Sequence, residues 1–179
     1  MKNRADCLKE YGSDYMIGKK VDAGELYKVG KGIYSEVRSV PRLAVLSFEY
    51  SDAVITMHSA FYFYDLTDVI PDSYDLCTDR NAAKIRGSDI RQYFAPSPFF
   101  EEGAENVDYR GFRIRIYNRE RMLIELLRYR TKLPFDYYKE VLHGFRRILP
   151  ELNMQRIQDY AYRAPKSARI MELLQSEVL

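Results

Sequence analysis

Four lysines lie close together near the start of the 179-residue chain: Lys19 and Lys20, then Lys28 and Lys31, the last flanked by Gly30 and Gly32. Ammonium groups so spaced hold phosphate by charge and make no bonds, so the chemistry they offer is the gripping of a polyanion. Tyr15, four residues ahead of Lys19, adds a planar side chain that can reach base edges. Glycine accepts the positive φ of a tight hairpin, so Leu26 to Val29 and Ile33 to Ser35 read as two strands with Lys31 at their tip. A second basic group follows later, at Arg113, Arg115, Arg119 and Arg121. The stretch from Tyr109 to Lys132 carries eight bases against Glu120 and Glu125, just after a run with Glu101, Glu102, Glu105, Asp108 and no base. Such a dipole either neutralises itself or docks a partner.

Catalytic constellations are not found. Cys7, Cys77, His58 and His143 lie far apart without CxxC spacing, so neither a zinc site nor a disulfide framework is expected. A nucleotidyltransferase needs Gly-Ser followed by two metal-binding acids one residue apart, whereas Gly12-Ser13 is followed by Asp22 and Glu25, which do not share a strand face. No Glu-x-Lys tripeptide of a restriction-type nuclease occurs. His58 beside Ser59 lacks a Gly-x-Ser-x-Gly elbow and reads as structural, as does His143. The Gly30-Lys31-Gly32 turn has neither the spacing nor the hydroxyl of a phosphate loop. The chain is read as a non-enzyme without metal or cofactor.

The elements that carry these residues follow from breakers and periodicity. Asn3 to Tyr11 reads as a short helix stopped by Gly12, and Ser13 caps a second that runs to Gly24. Two helices, a tight turn between them and a following hairpin make the order of a winged helix-turn-helix, whose second helix enters a DNA groove while the hairpin is the wing. Residues 1–40 hold eight Lys and Arg against six Asp and Glu, which accounts for the whole net charge of +2. Val40-Pro41 marks a boundary, giving domains 1–40 and 41–179.

In the larger domain a helix follows Pro41 and a short strand covers Ala53 to Thr56. Strands are then expected at Ser73 to Cys77, Ile90 to Phe94 and Phe112 to Tyr117. In the last, Phe112, Ile114 and Ile116 face one way and Arg113, Arg115 and Tyr117 the other. Helices follow after Asn118 and Pro134, then over Asn153 to Arg163 and Ser167 to Val178. The class is α+β, a small winged helix-turn-helix joined to a domain with a small sheet and a helical C-terminal half. Met57 to Leu66 fits either a strand by alternation or a helix by spacing. With no long apolar run and no apolar core in MKNRADCLKE, neither membrane insertion nor export is indicated, and the expected place is the cytoplasm.

Three segments together resemble the AbiEi-type antitoxins of bacterial abortive-infection toxin–antitoxin systems: RADCLKEYGSDYMIGKKVDAGELYKVGKGIYS, HSAFYFYDLTDVIPDSYDL and VDYRGFRIRIYNRERMLIELLRYR. The first is similar to the family's winged module, the second to its Ser-Ala-x-x-x-x-x-Leu-Thr-Asp-x-x-Pro segment, the third to its Gly-hydrophobic strand and Glu-Arg helix start at Gly111, Glu120 and Arg121. The resemblance implies a cytoplasmic regulator, a type IV antitoxin that binds repeats in its own promoter. It also implies a C-terminal domain that counteracts, directly or indirectly, a nucleotidyltransferase-type toxin encoded alongside, and a mainly helical Met57 to Leu66. On this reading Tyr15, Lys19, Lys20, Lys28 and Lys31 contact double-stranded DNA and Arg113, Arg115, Arg119 and Arg121 form the antitoxin surface. Family modules carry a further helix ahead of the pair, so the DNA-binding unit here is expected to be minimal. The rival readings are a protein-binding module whose hairpin is structural and, more distantly, a nucleotide-processing enzyme.

Overall fold

Side-chain caps fix the first two helices. Asn3 accepts a hydrogen bond from the Asp6 amide (2.9 Å) to start α1 (Arg4–Tyr11), and Gly12 ends it at φ 84°. Ser13 accepts from the Met16 amide (3.3 Å) to start α2 (Asp14–Asp22). A computed structural model describes residues 1–178, and they form two compact units: Met1–Ser51 with Asp108–Ile114, and Asp52–Val107 with residues 115–178.

In the first unit β1 (Lys2–Asn3), β2 (Tyr27–Gly30) and β3 (Ile33–Ser35) form an antiparallel sheet in the order β1-β3-β2. The sheet and both helices enclose a small core of Cys7, Ile17 and Leu26, with Leu8, Tyr11, Val21 and Tyr34 packed on it. The register slips between Lys28 and Gly30, so Val29 is an extra residue and the hairpin is bulged. Gly32 supplies the positive φ of the turn (67°). Gly30 is needed for another reason: a β-carbon there would meet Ile33 and Val45 at 3.2 Å. Val45 belongs to α3 (Arg42–Glu49), which clusters with the first unit through its buried Ala44, Val45 and Leu46. The first unit thus runs past Val40 to Ser51, with Val45 of α3 beside Gly30 of the hairpin.

The second sheet has the order β6-β5-β4-β8-β7, with β4 (Val54–Ile55), β5 (Tyr74–Asp79), β6 (Ile90–Ala95), β7 (Ala104–Tyr109) and β8 (Phe112–Tyr117). β4 runs antiparallel to β5 and parallel to β8, and β5 runs parallel to β6. β7 and β8 are joined by Arg110 and Gly111, both at positive φ (54° and 82°), as a two-residue I′ turn requires. Between β4 and β5 lies α4 (Met57–Phe63), so the ambiguous segment is helical over Met57 to Phe63.

The helical half consists of α5 (Arg119–Arg128), α6 (Phe135–Ile148), α7 (Met154–Arg163) and α8 (Ser167–Glu177). Asn118 and Asn153 cap α5 and α7 by accepting from the Arg121 and Arg156 amides. α5 is the centre: it packs on α4, α6, α7 and α8, and every residue from Arg121 to Leu127 is buried. Tyr117, expected on the outer face of β8, is instead fully buried and donates its hydroxyl to the Phe100 carbonyl (2.7 Å). The class is α+β, with a small sheet and a helical C-terminal half.

One close approach locks α6 to the turn after α4. A β-carbon on Gly144 would lie 2.6 Å from the Leu66 carbonyl oxygen, a backbone atom with no room to retreat. Gly144→Ala is therefore expected to cost about 1–3 kcal/mol, the usual penalty of overpacking, seen as a lower thermal midpoint by circular dichroism.

Candidate nucleic-acid interface

α2 buries Ile17 against the core and turns Tyr15 and Met16 outward, 69% and 40% exposed. One turn on from Tyr15, the Lys19 ammonium sits 4.9 Å from the centre of its ring, so the two form a cation–π pair on the exposed side of the helix. Lys20 differs from its neighbour. It donates to the Glu25 carboxylate, which raises its pKa by hydrogen bond and charge, so its positive charge is already compensated. Lys28 lies on β2 opposite Tyr34, and Lys31 stands at the hairpin tip; both are exposed, and among the described residues neither is in an ion pair.

Lys2 and Arg4 of the first unit are engaged. Lys2 bridges Glu10 (2.7 Å) and Glu36 (2.8 Å), and its pKa is raised by both, while Arg4 pairs with Asp14. These bonds tie β1, both helices and the end of β3 together. The uncompensated charges of Lys19, Lys28 and Lys31 are thus distinct from the lysines and arginine that do structural work.

The second predicted set does not form one surface. Arg121 is wholly buried, not part of an exposed face: its guanidinium donates to Glu125 (2.8 Å) and to the carbonyls of Phe99 and Glu102 (2.5 and 2.6 Å), between the rings of Phe99 and Tyr117. It turns inward because the first turn of α5 faces the 99–103 loop. Gly103 keeps that approach open at φ 78°, where a β-carbon would lie 2.6 Å from that of Arg121. Arg113 and Arg115 lie two residues apart on one face of β8, Arg113 exposed and Arg115 half-buried, and Arg119 is exposed on the first turn of α5. Arg115 pairs with Glu101, and Arg119 with Glu151 (3.5 Å) while lying over the Tyr64 ring. Of the remaining acids before the band, Glu102 meets Arg163 (3.3 Å), Glu105 meets Arg156 (3.5 Å), and Asp108 accepts from the Gly111 amide. Of these pairs, only that of Glu101 with Arg115 joins the acidic run to the basic band; those of Arg119, Glu105 and Glu102 bring in partners from outside both, Glu151, Arg156 and Arg163.

His58, read from sequence as structural, lies in a cleft with its Nδ1 2.7 Å from the buried Asp75 carboxylate. Only the fold joins them, since 17 residues separate the two.

No family model and no curated protein matches the chain. Among solved structures it is similar to the crystal structure of the RV2827C protein from Mycobacterium tuberculosis, with a TM-score of 0.62 at 13% sequence identity. The alignment covers 98% of this chain and 71% of that one, and at this identity it shows a shared fold. Among the described residues no helix is long and apolar enough to cross a membrane.

Proposed function

We propose that this chain is an AbiEi-type antitoxin and a DNA-binding autoregulator of its own promoter, acting in the cytoplasm without catalysis. The observation that carries the reading is the pairing of two capped helices with a bulged hairpin whose Lys28 and Lys31 are exposed and uncompensated. α2 is the element that enters the groove, offering Tyr15 and Lys19, and the hairpin is the wing that grips phosphate. Lys20 contributes less, since Glu25 already holds it. The three segments that resemble the family support the reading because each falls on a continuous structural passage: α1 to β3, α4 into β5, and β7 through α5.

Protection from the toxin is assigned to the second unit. The candidate surface loses the buried Arg121 and keeps Arg113, Arg115 and Arg119, the last two partly screened by Glu101 and Glu151. The partner is a nucleotidyltransferase-type toxin encoded beside this gene, contacted directly or counteracted indirectly. Co-expression with that neighbour tests the proposal: growth arrested by the toxin is expected to be restored by the full chain and by its Lys28→Ala/Lys31→Ala variant. Failure of the full chain to restore growth would remove the antitoxin role.

A further inference from the structure

In the second unit an open cleft of about 660 Å³ is lined by His58, Arg91, Tyr93, Phe94, Tyr129 and Lys132, among others. Its lining holds two cations and an imidazole but no carboxylate. Asp75 lies behind this lining, 3.5 Å from the Tyr93 hydroxyl, and Asp72, Asp136 and Glu140 line a separate hollow of about 440 Å³ that shares His58 and Arg91.

The imidazole is held from behind. Asp75, wholly buried, accepts the His58 amide N–H at Oδ2 (2.9 Å), and the same oxygen lies 2.7 Å from Nδ1. A carboxylate oxygen facing a ring nitrogen at that distance requires the hydrogen on Nδ1, which leaves Nε2 as the ring nitrogen available to a ligand. The ring stacks on Tyr137 with centroids 4.8 Å apart, and the preceding Met57 is buried at φ 43°, a conformation costly for a side chain without special local bonding. Packing therefore enforces the backbone that aims His58 at Asp75. Beside the ring, Tyr93 lies on the same face of β6 as Arg91 and meets Tyr129 edge-on at 5.3 Å, so two aromatic rings stand beside the charged end. Burial holds the Tyr93 and Tyr129 hydroxyls up at about 12, so both remain neutral donors at physiological pH.

We infer that this cleft binds a nucleoside monophosphate, its phosphate against Arg91, Lys132 and the His58 ring and its base against Tyr93 and Tyr129. Arginine and lysine supply charge and hydrogen bonds to a dianion, His58 donates one directed bond from Nε2 when its ring carries both hydrogens, with Nδ1–H kept on Asp75, and the tyrosine rings give a stacking surface that tolerates any base. The same chemistry is presented by a free mononucleotide and by the 5′-phosphorylated end of a strand. The site lies wholly in the second unit and stands independently of promoter binding or toxin neutralisation.

Titration of the full-length chain with AMP, read by calorimetry and by the His58 ring resonances, tests the assignment. AMP is expected to bind saturably and shift those resonances, with inorganic phosphate and adenosine each about tenfold weaker or more. Arg91→Ala/Lys132→Ala is expected to weaken AMP by about tenfold or more. Arg91→Gln/Lys132→Gln provides the same test should the alanine pair lose its fold. A 5′-phosphorylated dinucleotide binding as well as AMP identifies a strand end as the ligand, and one that binds worse identifies the free nucleotide. Absence of saturable AMP binding up to about 10 mM, adenosine binding as tightly as AMP, or unchanged affinity in a folded charge variant would overturn the assignment.

Discussion

Arg121→Ala is expected to cost about 3–5 kcal/mol, lowering the thermal midpoint by roughly 6–20 °C, because it removes one member of a buried charge network. Arg121 does three things at once. It neutralises Glu125, which is also held by Arg128 at 2.6 and 2.7 Å. It ties the 99–102 backbone to α5 through the Phe99 and Glu102 carbonyls, and it fills the space between Phe99 and Tyr117. Alanine would leave those carbonyls short of a donor and open a cavity beneath two rings. Lysine would retain the charge but not the planar fork or the stacking, so Arg121→Lys should recover only part of the loss. Because Arg128 still pairs with Glu125, the carboxylate is kept, and Arg121→Met should recover the packing between the two rings and so part of the loss. A midpoint for Arg121→Ala within about 2 °C of the parent would show that the network contributes little.

The second large effect concerns DNA. Lys28→Ala/Lys31→Ala is expected to weaken retention on a fragment of the chain's own promoter by about tenfold per lysine near physiological salt. Both ammonium groups are exposed and lack an ion-pair partner among the described residues, so their removal breaks no internal bond and the fold should be unaffected. Lys20→Ala is the contrasting variant. Its charge is already spent on Glu25, so it should change affinity by much less. Equal losses from Lys20 and the hairpin pair would contradict this division of roles.

Local signals made the first unit legible. Gly12 and Ser13 sit where α1 stops and α2 is capped, and Gly32 supplies the positive φ at the hairpin turn. β8 and the start of α5 were equally plain, from strict alternation and from Asn118. What escaped was set by tertiary contact. β7 has no buried residue and no regular apolar alternation, and exists because β8 pairs with it. The inward turn of Arg121 could not be told from that of Arg119, two residues earlier on the same basic stretch, without knowing that the 99–103 loop closes over α5. α3 follows a proline that looks like a boundary, yet its apolar face is claimed by the hairpin at Gly30. The His58–Asp75 pair joins residues from separate elements, and no spacing rule brings them together.

Promoter binding through an exposed cationic hairpin is the central claim, and the salt dependence of the binding constant tests it most directly. Three phosphate contacts, from Lys19, Lys28 and Lys31, predict a slope of log Kobs against log salt of about −2.7, falling to about −0.9 in Lys28→Ala/Lys31→Ala. A slope unchanged by that double substitution, or a promoter fragment that the parent chain does not retain at low salt, would contradict the account.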